Sequence, residues 1–169
     1  MANQPAVRAF EAKRVRYETA RSFDEVMSRL RALVGDASDF AARKKIDGGG
    51  TLEDFQNRVK ALAGESDFML FAEIDHGGWL EHYGVRRKVV RWIFGNPVIA
   101  YTMMRHDIGA GLFAPVEILL FENESGAGST IIYDLPSSLM VLDDNPPLLS
   151  AATELDCKMA ALIERVTAT

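Results

Sequence analysis

The sequence predicts an α+β domain rather than a doubly wound parallel sheet, and three observations carry that prediction. Amphipathic helical stripes stand near both ends of the chain. Short apolar segments bounded by turn residues lie between them. The last two of these segments are joined by a polar, Gly-containing turn, the mark of a hairpin, so the order reads β-α-(αβ insert)-β-β-α-β-β-α. Composition agrees: 169 residues, 48% hydrophobic and 25% charged, suit one domain with a real core and exclude wholesale disorder.

The elements follow in order. Residues 1–10 read as a frayed arm, and 11–20 alternate weakly, fitting a first strand with one wet face. Ser22 and Glu25 make an S-x-x-E capping box, in which hydroxyl and carboxylate each satisfy an orphan backbone N–H. Phe23, Val26, Met27, Leu30, Leu33 and Val34 then form the helical stripe, and Gly35 supplies its stop. Further along, Met69-Leu70-Phe71-Ala72 reads as a buried strand, 79–83 as a short helical turn, and 87–94 as a strand. Asn96-Pro97 is an N-cap with Pro at the first helical position, where its missing N–H costs nothing. Pro115 opens a strand over 116–122, residues 123–128 turn, and 130–134 return as the hairpin partner. Asn145-Pro146-Pro147 caps a last helix striped by Leu148, Ala152, Leu155, Met159, Leu162 and Val166.

Residues 22–50 and 51–78 resemble one another. Arg-Leu-Arg-Ala-Leu-Val-Gly ends the first capped helix at Gly35, and Arg-Val-Lys-Ala-Leu-Ala-Gly the second at Gly64. Ser38-Asp39-Phe40 and Ser66-Asp67-Phe68 are each followed, after five residues, by an Ile-Asp pair, and both copies reach a Gly pair. The pattern reads as a tandem helix–strand duplication or as a chance likeness of amphipathic helices. The first copy's second half, residues 41–45, is charged and is expected as an edge strand or loop.

Several groups are candidates for chemistry. Asp75-His76-Gly77-Gly78 leaves a buried strand for a Gly-rich turn, where scaffolds display functional groups. His titrates near neutrality, and a neighbouring carboxylate would orient it; alternatively Asp75 satisfies turn N–H groups and His76 ends the strand. Period-2 alternation places one charge among apolar neighbours on each of three strands: Glu73 with Phe71, Arg91 with Val89 and Ile93, Glu117 with Leu119 and Phe121. If those faces coincide, Glu73, Arg91 and Glu117 form a carboxylate–guanidinium–carboxylate row that binds a polar ligand or fixes strand register.

Other functions are disfavoured. Three His and one Cys exclude a disulfide framework and a Cys-rich zinc module, and the His76-x5-His82 spacing fits no zinc pair, so no metal is expected. Gly48-Gly49-Gly50-Thr51 lacks the Lys of a phosphate loop and is followed by Glu53-Asp54, so no cofactor is expected. Cys157, flanking the last stripe, reads as an inert thiol. Arg86-Arg87-Lys88 with Arg91 and Trp92 is a local basic patch in a chain of net charge −5, which argues against nucleic acid as a partner. Residues 1–16 lack a signal-peptide core and no apolar run reaches spanning length, so a cytoplasmic protein with no membrane partner is expected.

Phe71-Ala72-Glu73-Ile74-Asp75-His76, then Ile93-Phe94-Gly95-Asn96-Pro97, then Pro115 opening an apolar strand that ends Phe121-Glu122, resembles the DUF302 family (domain of unknown function 302) of small bacterial and archaeal proteins. The resemblance covers residues 66–142 well and the flanking helices weakly. It implies a curved antiparallel sheet covered by helices, β-α-β4-α as in the TATA-binding-protein-like topology, and a homodimer. It implies no DNA binding, because fold is not function. Asp75, His76, Asn96 and Pro97 stand at the family's signature positions. Residues 36–66 have no counterpart in the usual pattern, which makes them an insertion within a single domain spanning 1–169. Where relatives often carry a basic residue or Cys after the strand-opening proline, this chain has Val116-Glu117.

These readings lead first to a small-molecule-binding module with a pocket near Asp75, His76, Trp79 and Asn96. His76 would bond the ligand, Asp75 would hold the imidazole, and Trp79 would form an apolar wall. A second reading is an enzyme using His76 as general acid–base oriented by Asp75. A third is an interaction protein whose site is a dimer face.

Overall fold

The strand segments assemble side by side into one open sheet. In this computed structural model, which describes residues 5–168, they are β1 (Arg14–Thr19), β2 (Gly35–Asp36), β3 (Met69–Asp75), β4 (Val89–Gly95), β5 (Val116–Glu122) and β6 (Ser129–Asp134). Residues 1–4 of the expected arm lie outside the described residues. The spatial order is β1-β6-β5-β4-β3-β2, antiparallel throughout except for the short parallel β2–β3 pair. Among the described residues seven helices accompany it: α1 (Phe23–Leu33), α2 (Phe40–Ile46), α3 (Leu52–Leu62), α4 (Gly77–Leu80), α5 (Pro97–Met104), α6 (Pro136–Met140) and α7 (Pro146–Thr167). Single 3-10 segments cover Glu81–Tyr83 and Ile108–Phe113. The fold is α+β, as the hairpin and the mixed order predicted.

One face of the sheet carries the main core. Val90, Trp92 and Phe94 of β4 alternate inward with Ile118 and Leu120 of β5 and Ile131 and Tyr133 of β6. They meet Val26 and Leu30 of α1 and Leu155, Met159 and Leu162 of α7, the predicted stripes. Each large side chain fully buried there contributes roughly 1.5–3 kcal/mol of hydrophobic stabilisation. A second cluster sits beside β3, where Ala42 and Ile46 of α2 and Val59 of α3 enclose Ala37 and Met69.

Both predicted helix starts are present as reciprocal caps. Glu25 accepts from the Ser22 N–H at 2.8 Å while the Ser22 hydroxyl accepts from Glu25 N–H; Thr51 and Asp54 repeat the arrangement. The backbone hydrogen bond at each cap is the main reason both carboxyls titrate below their ordinary range.

The likeness between the two copies ends with these helices. Residues 41–45, expected as an edge strand or loop, belong to α2 instead. The Asp39 carboxylate accepts from Ala42 N–H at 2.6 Å, capping the helix, and the i, i+4 pair Ala42 and Ile46 buries one face. Ser66 and Asp67, by contrast, lead into β3. Gly35 follows directly on the end of α1, and the chain is already extended at Val34. A Cβ on Gly35 would lie 1.8 Å from the Leu62 carbonyl oxygen, and one on Gly64 2.3 Å from that of Leu33. The two glycines let the ends of α1 and α3 touch backbone to backbone, and both N–H groups donate to the Phe68 carbonyl at 2.9 Å.

Candidate functional site

The second face of the sheet is open around β4–β6. Strand alternation sends Val89, Arg91 and Ile93 of β4, Glu117 and Leu119 of β5, and Ile132 and Asp134 of β6 outward, opposite the core residues between them. α4 walls this surface with His76, Trp79 and Leu80, and the 3-10 segment with Leu112 and Phe113. The result is a groove of about 690 Å3, within the range of small-molecule sites.

The turn after β3 fixes the aromatic wall. His76 ends the strand, its N–H bonded to the Val89 carbonyl at 2.8 Å, and the chain enters α4 directly. Three residues on, the Trp79 indole N–H donates to His76 Nδ1 at 3.3 Å, with the rings edge to face at 5.9 Å. Tyr83 meets Trp79 edge to face at 6.4 Å. Because Nδ1 accepts this bond, the neutral imidazole carries its proton on Nε2. Trp79 is 50% exposed.

Two ion pairs stand among the apolar groove residues. Arg14 of β1 grips Asp134 with both prongs, Nε to Oδ1 at 2.7 Å and Nη2 to Oδ2 at 2.9 Å. That contact holds the Asp134 carboxyl below its ordinary range and raises the guanidinium. Arg91 reaches Glu117 side-on: Nε at 2.6 Å and Nη2 both contact the single oxygen Oε2.

The sequence-derived site residues divide between this groove and other places. His76, Trp79, Arg91 and Glu117 line it together. Glu73 does not: β3 slips register between Leu70 and Ala72, which pairs Glu73 with Trp92 and turns it to the packed face. There it accepts from the Trp92 indole N–H at 2.9 Å and from Arg31 of α1 at 2.9 Å. The expected three-charge row is therefore an Arg91–Glu117 pair, with Glu73 beneath the sheet. Asp75 also faces away from His76, since consecutive residues at a strand end point oppositely. Its carboxylate accepts from Gly78 N–H at 3.1 Å and borders a separate, charged cleft with Glu81 and Arg86. Asn96 is the cap of α5, accepting from Val98 N–H at 2.8 Å and donating to the Asp67 carbonyl at 2.8 Å, in a small cleft against α3.

Arg14, Asp134, Leu112 and Phe113 are groove residues that sequence reasoning missed. The alternation Arg14-x-Arg16-x-Glu18 pointed to the wet face of β1, but pairing with Asp134 needed the long-range β1–β6 register. Among the described residues, no group of three His, Cys, Asp or Glu is placed to hold a metal ion, and no helix is long and apolar enough to cross a membrane.

The family model described as domain of unknown function DUF302 matches residues 43–166. The crystal structure of an uncharacterized conserved DUF302 protein from Bacillus stearothermophilus superimposes with a TM-score of 0.62 at 16% identity, covering 90% of this chain and 97% of that one. At that identity the likeness speaks for the fold alone. No curated protein matches the chain.

Proposed function

The chain belongs to the DUF302 family, and from that premise we propose that it is a cytoplasmic small-molecule-binding module whose site is the groove on the open sheet face. One observation carries this reading: an unfilled groove of about 690 Å3 that combines apolar floor, half-exposed indole and ion pair. Val89, Ile93, Leu119 and Ile132 are only half-buried beside a fixed aromatic wall, an apolar floor suited to a ligand. Within this reading His76 bonds the ligand through Nε2 and Trp79 supplies an apolar wall. Asp75 shapes the turn that carries His76 and Trp79, and Asn96 caps α5 outside the groove.

Native mass spectrometry of freshly purified protein tests the proposal. We expect a small molecule to be retained by the wild type and lost from Leu119→Trp, which fills the groove. A bound mass that survives this substitution overturns the assignment of the site.

A second reading, a dimeric interaction module, is favoured by Tyr83, Ile108 and Leu112, which are 81%, 77% and 82% exposed. A sedimentation coefficient that falls to the monomer value in Leu112→Glu supports it; a wild-type monomer removes it. The acid–base reading has no such support, because the hydrogen bond that Asp75 would need to orient His76 goes to Gly78 instead.

A further inference from the structure

The two ion pairs in the groove are not equivalent, and their difference points to a class of ligand. In the Arg14–Asp134 pair both carboxylate oxygens are engaged. In the Arg91–Glu117 pair two nitrogens converge on Oε2, so Glu117 Oε1 and Arg91 Nη1 have no partner among the described residues. The groove thus presents one strong donor and one strong acceptor on a single, net-neutral pair beside Ile93 and Leu119. A ligand anion at Arg91 would face Glu117, and a ligand cation at Glu117 would face Arg91. Each would suffer repulsion from half of the pair while being drawn to the other. A neutral group with an adjacent donor and acceptor suffers neither and satisfies both. The same groove is walled by the Trp79 indole, half-exposed and held by its edge contacts with His76 and Tyr83. Such a surface favours a planar, polarisable partner.

Resting on the binding reading above, we propose that the groove takes a neutral planar heterocycle carrying a lactam edge. Its ring carbonyl accepts from Arg91, its ring N–H donates to Glu117, and its plane lies against Trp79. The groove is large enough for a bicyclic or tricyclic ring. Oxopurine, pyrimidinedione and lumichrome-type rings share this edge, and N-methylation removes its donor without changing ring shape.

The test is titration of the full chain with hypoxanthine, uracil and lumichrome, with their N-methylated counterparts, and with decanoate and hexylamine, followed by calorimetry and tryptophan fluorescence. The chain has two tryptophans and Trp92 is 1% exposed, so quenching reports on Trp79, with Trp79→Phe as the control. We expect at least one lactam ring to bind. N-methylation should weaken it by about tenfold or more, because the methyl group displaces water from the Glu117 oxygen without replacing its hydrogen bond. Glu117→Met should produce a similar loss with little change in melting temperature, because the ion pair it breaks is half-exposed, and the methylated probes on wild-type protein make the same point without any variant. Lactam binding that is indifferent to methylation overturns the proposed edge recognition. Binding of decanoate or hexylamine alone, abolished by Leu119→Trp, overturns the heterocycle class while leaving the groove a binding site. No probe bound and no retained small molecule overturns both.

Discussion

On β6, Tyr133 and Asp134 are consecutive residues with opposite surroundings. Tyr133 is buried among the core residues closed by α1 and α7 and stacks on Tyr17 at 6.4 Å, whereas Asp134 lies in the open groove gripped by Arg14. β4 repeats the contrast, with Trp92 sealed and Arg91 and Ile93 facing the groove. The same period-2 backbone thus builds two surfaces from interleaved residues. One is filled by helices and holds the fold together; the other is lined by similar apolar residues that are only half-buried, with its charges paired rather than excluded. Stability and binding are therefore expected to separate by face, residue by residue along a single strand.

The largest expected effect comes from neighbouring leucines on β5. Leu120→Ala, in the core, should cost about 2–5 kcal/mol in urea unfolding, and Leu119→Ala in the groove clearly less. Equal costs would erase the distinction between the faces. Next come the two carboxylates that the sequence placed in one row. Glu73→Met strands the buried Trp92 indole N–H and should cost about 1–3 kcal/mol. Glu117→Met breaks only a half-exposed ion pair, worth about 0–1 kcal/mol.

The smallest effect is in pH dependence, and it has opposite signs on the two faces. Burial raises the Tyr133 phenol above its ordinary value. Its contribution is therefore intact below the unfolded tyrosine range, about pH 10, and is lost as pH rises beyond it. The Arg14 contact lowers the Asp134 carboxyl. That contribution is present above the unfolded carboxylate range and fades as pH falls through the lowered folded value. Urea midpoints measured across pH should show Tyr133→Phe flattening the alkaline limb and Arg14→Met slightly flattening the acid limb. Exchanged effects would show that the two residues are not separated as the faces imply.

Much of this was legible from local signals. The caps at Ser22, Thr51, Asn96 and Asn145 each rest on side chain and backbone a few residues apart, and all four are formed. The alternation of β4 and β5 placed Arg91 and Glu117 together because those strands pair without interruption. Glu73 went to the wrong face because an irregularity at Phe71 shifts everything after it, and nothing in Met69-Leu70-Phe71-Ala72 announces it. α2 was missed because, among the described side chains, its charged run hides two buried positions, Ala42 and Ile46, whose partners Val59 and Met69 lie on other elements. The groove itself required long-range assembly: Arg14, His76, Leu112 and Asp134 come from four distant segments, and no local pattern brings them to one surface.

The contact between Gly35 and Gly64 has a topological consequence. From Gly35 the chain runs through β2, α2 and α3 to Gly64, and both glycines are tied to the single Phe68 carbonyl, so the intervening stretch is a loop with its ends in contact. Its far end, at Gly49, has open space around the backbone. Closing such a loop depends only weakly on its length, with each doubling costing about 0.6 kcal/mol. Residues can therefore be added near Gly49, or a whole folded payload grafted there, without transmitting strain to the strands that form the groove.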